Sequence, residues 1–212
     1  MVCLDIGANI GAVSLHLASL VGRSGKVYCF EPVPHLHKRL ATNSARHANN
    51  EALNLFNVAL SDRIGEAELS MPRLDYPNQG MGSIVNKDRF LEIRLQVKTT
   101  TVDRFVASNG LTHLDLVKMD VQGAEPLILA GATDTLREWR PDLVVEVSHW
   151  DLQMGGSSGR AVLATLERLG YQCFFLRQNG LPGSKVCSNE VPADFSCENL
   201  YCCPAHRISV PT

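Results

Sequence analysis

No stretch of this 212-residue chain approaches the ~20 consecutive apolar residues that a membrane-spanning helix requires. The sequence shows no secretory signal either. It has no surplus of positive charge: 20 basic side chains face 22 acidic ones, for a net charge of −2. That balance gives no support for a nucleic-acid or membrane-surface binder, which is recognised by a basic excess or stripe. There is no Cys-x-x-Cys pair and no His-x-x-x-His spacing among the seven histidines, so neither a zinc site nor any other metal is expected. The cysteines are odd in number: Cys3, Cys29, Cys173, Cys187, Cys197, Cys202 and Cys203. Without an oxidising context they read as reduced thiols, mostly buried in strands, with Cys187 and Cys197 in a more polar stretch. A cytoplasmic protein is the default expectation.

What is present is ordinary globular composition, 45% hydrophobic and 20% charged, and residues 1–212 read as one domain with a sizeable core. Short apolar runs alternate with helical periodicity, the pattern of βαβ units on a parallel sheet. Strands are expected at Val2 to Ile6, Lys26 to Phe30, Leu53 to Ala59, Leu114 to Asp120, Asp142 to Val147, Tyr171 to Arg177 and Asn199 to Cys202. Helices are expected after Gly11, around Leu36 and Leu40, over Val102 to Ser108, through Leu136, and over Gly159 to Leu169. Glu66 to Ser70 reads as a hairpin partner and Leu95 to Thr100 as an edge strand. Pro72 to Asp88, rich in Pro, Gly, Asn and Asp, reads as a long loop of the kind that serves as a lid or binding segment. Val2-Cys3-Leu4 already has strand character, an abrupt start that suggests a missing N-terminal segment.

Three stretches carry chemistry. Asp5-x-Gly7-x-Asn9-x-Gly11 lies at a strand-to-helix turn, where a glycine loop lets backbone approach a nucleotide-like cofactor. Glu31 follows Gly11 by 20 residues at the end of the next strand, and an acidic side chain there accepts hydrogen bonds from ribose hydroxyls. Lys118-Met119-Asp120-Val121-Gln122-Gly123-Ala124-Glu125 puts Asp120 at the carboxyl end of the fourth strand, next to the switch point where such sheets bind ligands. Lys118 and Asp120 share a strand face, so Lys118 reads equally as the cation of a structural ion pair. Glu125 reads either as a site carboxylate or as a simple helix-terminus charge. A dinucleotide fingerprint needs bare backbone at its second glycine, whereas this loop has Asn9 there. S-adenosylmethionine lacks a pyrophosphate, so its loop tolerates that side chain. Its ammonium and sulfonium suit nearby carboxylates such as Asp5.

Taken in order, Leu4 to Gly11, Phe30-Glu31-Pro32-Val33-Pro34, Asn57 to Asp62, Lys118 to Glu125 and Arg140-Pro141 before Val144-Val145-Glu146-Val147 resemble the FkbM-type methyltransferases, with a weaker echo at Glu198-Asn199-Leu200. The resemblance implies an α/β, Rossmann-like class I methyltransferase fold. Its sheet would be seven-stranded and mostly parallel, with an antiparallel last strand and helices on both faces. It implies S-adenosyl-L-methionine as methyl donor and usually a hydroxyl acceptor, a small molecule, sugar or lipid-linked glycan. By position it implies Asp5, Gly7, Asn9 and Gly11 as the cofactor loop and Glu31 on the ribose. Ala59 and Ser61 fall near the adenine, and Asp120 falls at the methyl and methionine end. Gln122 departs from the family pattern, which usually has Glu.

Asp120 and His149, both at carboxyl ends of core strands, are the candidate general bases, with a surface loop as the bland alternative for His149. His35 and His37 read as the solvated start of a helix. Two other functions stay open at this stage: a non-catalytic or degenerate S-adenosylmethionine-binding module, and an NAD-dependent oxidoreductase.

Overall fold

Strand β1 (Val2–Ile6) forms because every second residue meets a different apolar layer. Cys3 turns to one face, and Leu4 and Ile6 turn to the other. β2 (Lys26–Phe30), β3 (Leu53–Phe56), β7 (Leu116–Met119) and β8 (Asp142–Val147) lie parallel beside it. The computed structural model describes residues 1–76, 79–85 and 93–206. Residues 77, 78 and 86–88 of the expected 72–88 loop, and the side chain of Glu198, lie outside the described residues. Two further strands occupy the far side: β9 (Tyr171–Leu176) and β11 (Cys197–Pro204), the latter antiparallel to both β8 and β9. The spatial order is β10-β9-β11-β8-β7-β1-β2-β3, where β10 is Pro182–Val186.

The sheet is the expected Rossmann-like one, with the antiparallel late strand in place. It has eight strands rather than seven. The extra one, β10, is an edge strand that folds back on β9 after Asn179-Gly180. Its sequence, Pro-Gly-Ser-Lys-Val, is mostly exposed, so it lacks the apolar alternation by which strands are recognised.

A second, three-stranded sheet stands apart, in the order β4-β6-β5, with β4 at Ala59–Leu60, β5 at Gly65–Met71 and β6 at Ile93–Thr100. Two expectations change here. Leu53 to Ala59 is not one strand: Asn57 and Val58 break it, and the chain crosses to the small sheet. The Asn57 amide fixes the break by donating to the carbonyls of Glu31 (2.8 Å) and Pro32 (2.9 Å). The strand containing Leu95 to Thr100 is not an edge but the centre of the small sheet, paired on both sides.

Helices cover both faces. α1 (Ala12–Leu20) and α2 (Pro34–Ala45) pack Leu17, Ala18 and Leu40 on Cys3, Val27 and Cys29. α3 (Val102–Ser108), α4 (Glu125–Ala130), α5 (Thr133–Glu138) and α7 (Gly159–Arg168) cover the other face. There the Phe105 ring meets Phe30, Phe56 and Tyr28 edge-on, with centroids 4.8, 5.0 and 5.4 Å away, the geometry aromatic quadrupoles favour. α6 (His149–Met154) is a short helix right after β8. Five cysteines are buried, while Cys187 and Cys197 are half-buried. No helix among the described residues is long and apolar enough to cross a membrane.

The helix expected to run through Leu136 is instead two helices, α4 and α5, broken at Gly131-Ala132. A Cβ on Gly131 would sit 2.1 Å from the Ser61 carbonyl oxygen, so the break admits the end of β4. Gly131→Ala is therefore expected to lower the unfolding free energy by about 1–3 kcal/mol through overpacking. Urea or thermal unfolding checks this; an unchanged midpoint would show that Ser61 can retreat freely.

Candidate functional site

The glycine loop is built on strand ends. The amides of Gly7 and Ala8 both donate to the Phe30 carbonyl (3.1 and 2.9 Å), and the Asn9 amide donates to Glu31 Oε2 (2.8 Å). Gly7 has φ 79°, and a Cβ there would lie 2.0 Å from the carbonyl oxygen of Asp120. The left-handed backbone and this close approach both demand glycine. Glu31 takes a second amide, from Val33, on Oε1 (2.9 Å). Loop and carboxylate are thus one unit. Burial pushes the Glu31 carboxyl up to about 7, although the Val33 and Asn9 amides and the Lys118 ammonium all favour the charged form.

Above this unit lies a cavity of about 320 Å³. Ile6 to Ile10, Glu31 and Pro32 form its floor, and Val58, Ala59, Leu60 and Leu69 form an apolar wall from the break after β3 and from the small sheet. Gly80, Gly82 and Ile84 close it from the 79–85 segment. That segment is tied twice: Ser83 pairs with Ser70 of β5 through mutual backbone bonds (2.9 and 3.0 Å), and its hydroxyl donates to the Gln122 carbonyl (2.8 Å).

The far end of the cavity is acidic. Asp120 and Gln122 line it, following β7. The Lys118 ammonium, only 8% exposed, donates to the Gly7 carbonyl (3.2 Å) and lies 3.4 Å from Asp5 Oδ1 and 3.6 Å from Asp120 Oδ2. Ser14 of α1 donates to the other oxygen of Asp5. The Gln122 amide donates to Asp120 Oδ1 (3.1 Å) and to Glu146 Oε2 (3.0 Å). Glu146 is pushed up to about 8, first by burial and then by the Asp120 carboxylate. Glu125 is 1% exposed. It accepts the Val121 amide on Oε1 (3.2 Å), and burial raises it to about 7. It is no surface helix-terminus charge, and its Oε2 has no hydrogen-bond partner.

Of the residues expected from the sequence, Gly7, Asn9, Glu31, Ala59 and Asp120 line the cavity. Asp5 lies beneath the loop and holds Lys118 and Ser14. Gly11 is the left-handed N-cap of α1, packed under Leu40. Ser61 is buried beside β4 and donates to Asp62. His149 opens α6; its amide donates to Ser196 Oγ (2.9 Å), its ring Nδ1 is buried without a partner, and it lies off the cavity lining. His35 and His37 lie in the first turn of α2, as expected, but are half-buried, each with an Nε2 that has no hydrogen-bond partner among the described residues. Sequence reasoning gave no role to Glu146 or Ser14, and read Ser83 only as part of the 72–88 loop. A signal for Glu146 existed: Met119 pairs with Val145, so Asp120 and Glu146 follow at one level of adjacent parallel strands.

Comparison with known proteins agrees with this architecture. A family model described as the methyltransferase FkbM domain matches residues 5–173. The 2-O-methyltransferase NoeI of Sinorhizobium fredii is 32% identical over 183 residues, 78% of this chain and 70% of that one. The AMB antimetabolite synthetase AmbE of Pseudomonas aeruginosa is 30% identical over 85% of this chain, which spans only 10% of that protein. Among solved structures, methyltransferase FkbM from Methylobacillus flagellatus KT aligns with a TM-score of 0.56 at 16% identity, over 94% of this chain and 42% of that one. The O-methyltransferase TomG from Streptomyces achromogenes, solved with S-adenosylmethionine, aligns at 0.51 and 12% identity, over 95% and 71%. With the glycine loop, the acidic strand ends and a family match across most of its length, the chain belongs to the FkbM family of S-adenosylmethionine-dependent methyltransferases.

Proposed function

We propose that the chain transfers a methyl group from S-adenosylmethionine to a hydroxyl oxygen of a small-molecule or glycan acceptor. The observation that carries this reading is Glu31. A buried carboxylate in the cavity floor uses one lone pair of each oxygen on a backbone amide, which leaves the others for a vicinal diol such as ribose. Val58, Ala59 and Leu60 beside it make an apolar slot for adenine. A donor laid from that slot along the glycine loop brings its cationic end to Asp120, the open carboxylate at the other wall. The hydroxyl acceptor is supported by NoeI, a 2-O-methyltransferase, and by TomG, an O-methyltransferase. Asn9 has its side chain at the place a dinucleotide pyrophosphate would need, which disfavours a nicotinamide cofactor.

When bound, the donor supplies a methyl group on a positively charged sulfur, open to in-line displacement. The protein's contribution is positioning, worth about 7–11 kcal/mol when reacting groups are aligned. Glu31 and the loop fix the donor's nucleoside, and Asp120 faces its charge. The 79–85 segment excludes water from one side and shapes the entry for the acceptor.

Calorimetry with S-adenosylhomocysteine tests the Glu31 contact. Glu31→Ala is expected to weaken binding by about 1–3 kcal/mol, the cost of leaving buried partners unpaired. Because Glu31 in the free protein titrates at about 7 and the ribose hydroxyls need its ionised form, wild-type affinity should rise about tenfold from pH 6 to pH 8. Glu31→Gln should flatten that rise; a slope that persists in this variant would place the diol elsewhere.

The tie on the 79–85 segment gives a second expectation. Ser83→Ala removes the hydroxyl bond to Gln122 and should weaken S-adenosylhomocysteine binding by about 0.5–1.5 kcal/mol. Unchanged affinity would mean that the segment does not help to close the donor cavity.

A further inference from the structure

Asp120 and Glu146 stand at the same level on adjacent parallel strands, one residue beyond the Met119–Val145 pair. One amide nitrogen, Gln122 Nε2, bonds to both carboxyl groups (3.1 and 3.0 Å) and so brackets them together. Gln122 adopts φ 53° to do so, a left-handed backbone that costs a non-glycine residue about 1–2 kcal/mol. The two carboxyls differ in access. Asp120 lines the cavity with 41% of its side chain exposed, whereas Glu146 lies behind it, off the lining. Two carboxylates held on one amide nitrogen in a half-buried place do not both ionise readily.

The surroundings reinforce the sharing of one proton. Glu125 of α4 and Asp151 of α6 add negative charge from neighbouring elements. The buried Oε2 of Glu125, which has no hydrogen-bond partner, belongs to the same cluster, with Asp120 and Asp151 as its charged neighbours. The half-buried Cys197 thiol of β11 also faces Glu146 and is pushed up to about 12, so it stays neutral. Among the described residues the cation at this end is Lys118, and it faces Asp120 and Asp5.

We infer that Glu146 is a positioning residue for methyl transfer: it holds one proton jointly with Asp120, gives it up when a cationic donor enters, and receives through Asp120 the proton that the acceptor hydroxyl loses. This rests on the methyltransferase reading above. In the reaction the acceptor's O–H bond breaks and an O–CH3 bond forms. The sulfur–methyl bond breaks with its electron pair returning to sulfur, and the freed proton goes to the carboxyl pair. The site thereby loses a positive charge on sulfur and gains one on the pair, so its net charge is unchanged across the step.

The test compares S-adenosylmethionine with S-adenosylhomocysteine by calorimetry. Both occupy the same cavity and share the Glu31 contact, so the ratio of their affinities isolates the charge on sulfur. With Glu146 pushed up to about 8, the wild-type preference for the cation should grow about tenfold between pH 7 and pH 9, with close to one proton released on binding at pH 7. Glu146→Gln keeps the shape and removes the titration, and its ratio should stay within about twofold across that range. A flat wild-type ratio, or a slope that survives in Glu146→Gln, overturns the inference.

A second readout needs neither ligand. A folded-state carboxyl raised from its unfolded value of 4.5 to about 8 keeps a proton that the unfolded chain has already released, so stability falls as pH rises and levels off above 8. The wild-type apoprotein should lose unfolding midpoint between pH 7 and pH 9, and Glu146→Gln should lose less. If neither ligand binds, the functional reading fails, and the apoprotein curves judge the pair alone. A wild-type curve no steeper than that of the variant overturns it.

Discussion

The arrangement depends on one buried ammonium. Lys118 reaches from β7 to the carboxylate of β1, to the carbonyl that opens the glycine loop, and to the carboxylate that faces the cavity. A lysine this enclosed is tolerated only when its partners are in place, because an unpaired charge away from water is far costlier than the pair itself is favourable. The requirement runs both ways. Asp5 is fully buried, and among the described residues Ser14 and Lys118 answer its charge. The loop therefore cannot shift without uncovering an ion, which keeps Gly7, Glu31 and Asp120 in fixed relation.

This explains which parts of the site were legible in the sequence. Glycine at a position of φ 79°, an acid at the end of the second strand and an acid at the end of the fourth are local signals set by one strand end each, and pattern reading finds such signals. The role of Asp5 was not local. Its spacing in the loop suggested a ligand contact, but strand alternation turns it towards Ser14 on α1, away from the cavity. Glu146 needed the register between two strands 22 residues apart in sequence, Met119–Lys118 against Val145–Val144, and no single window contains that. The small sheet was missed for a similar reason. Ala59–Leu60 follows β3 after only Asn57 and Val58, and the Asn57 amide marks where the chain changes partners.

Gln122 takes on a different meaning in three dimensions. As a departure from the family pattern it removes a carboxylate. In the structure its amide stands between two carboxyls that would otherwise repel and donates to both. A carboxylate there would have no hydrogen to offer either neighbour while ionised. The amide therefore does not empty the acidic end of the cavity; it allows Asp120 and Glu146 to stand together beside Lys118, with Glu125 and Asp151 behind them.

The crossing of the chain after Phe56 has a consequence for how this family member can diverge. The parallel strands own the floor of the cavity, and the separate three-stranded sheet with its attached segment owns much of the roof. These two ladders share no backbone pairing, so substitutions and length changes in the roof need not re-register the floor. Natural drift in residues 65–76 and 79–85 can reshape that roof while the loop and strand ends beneath are inherited unchanged.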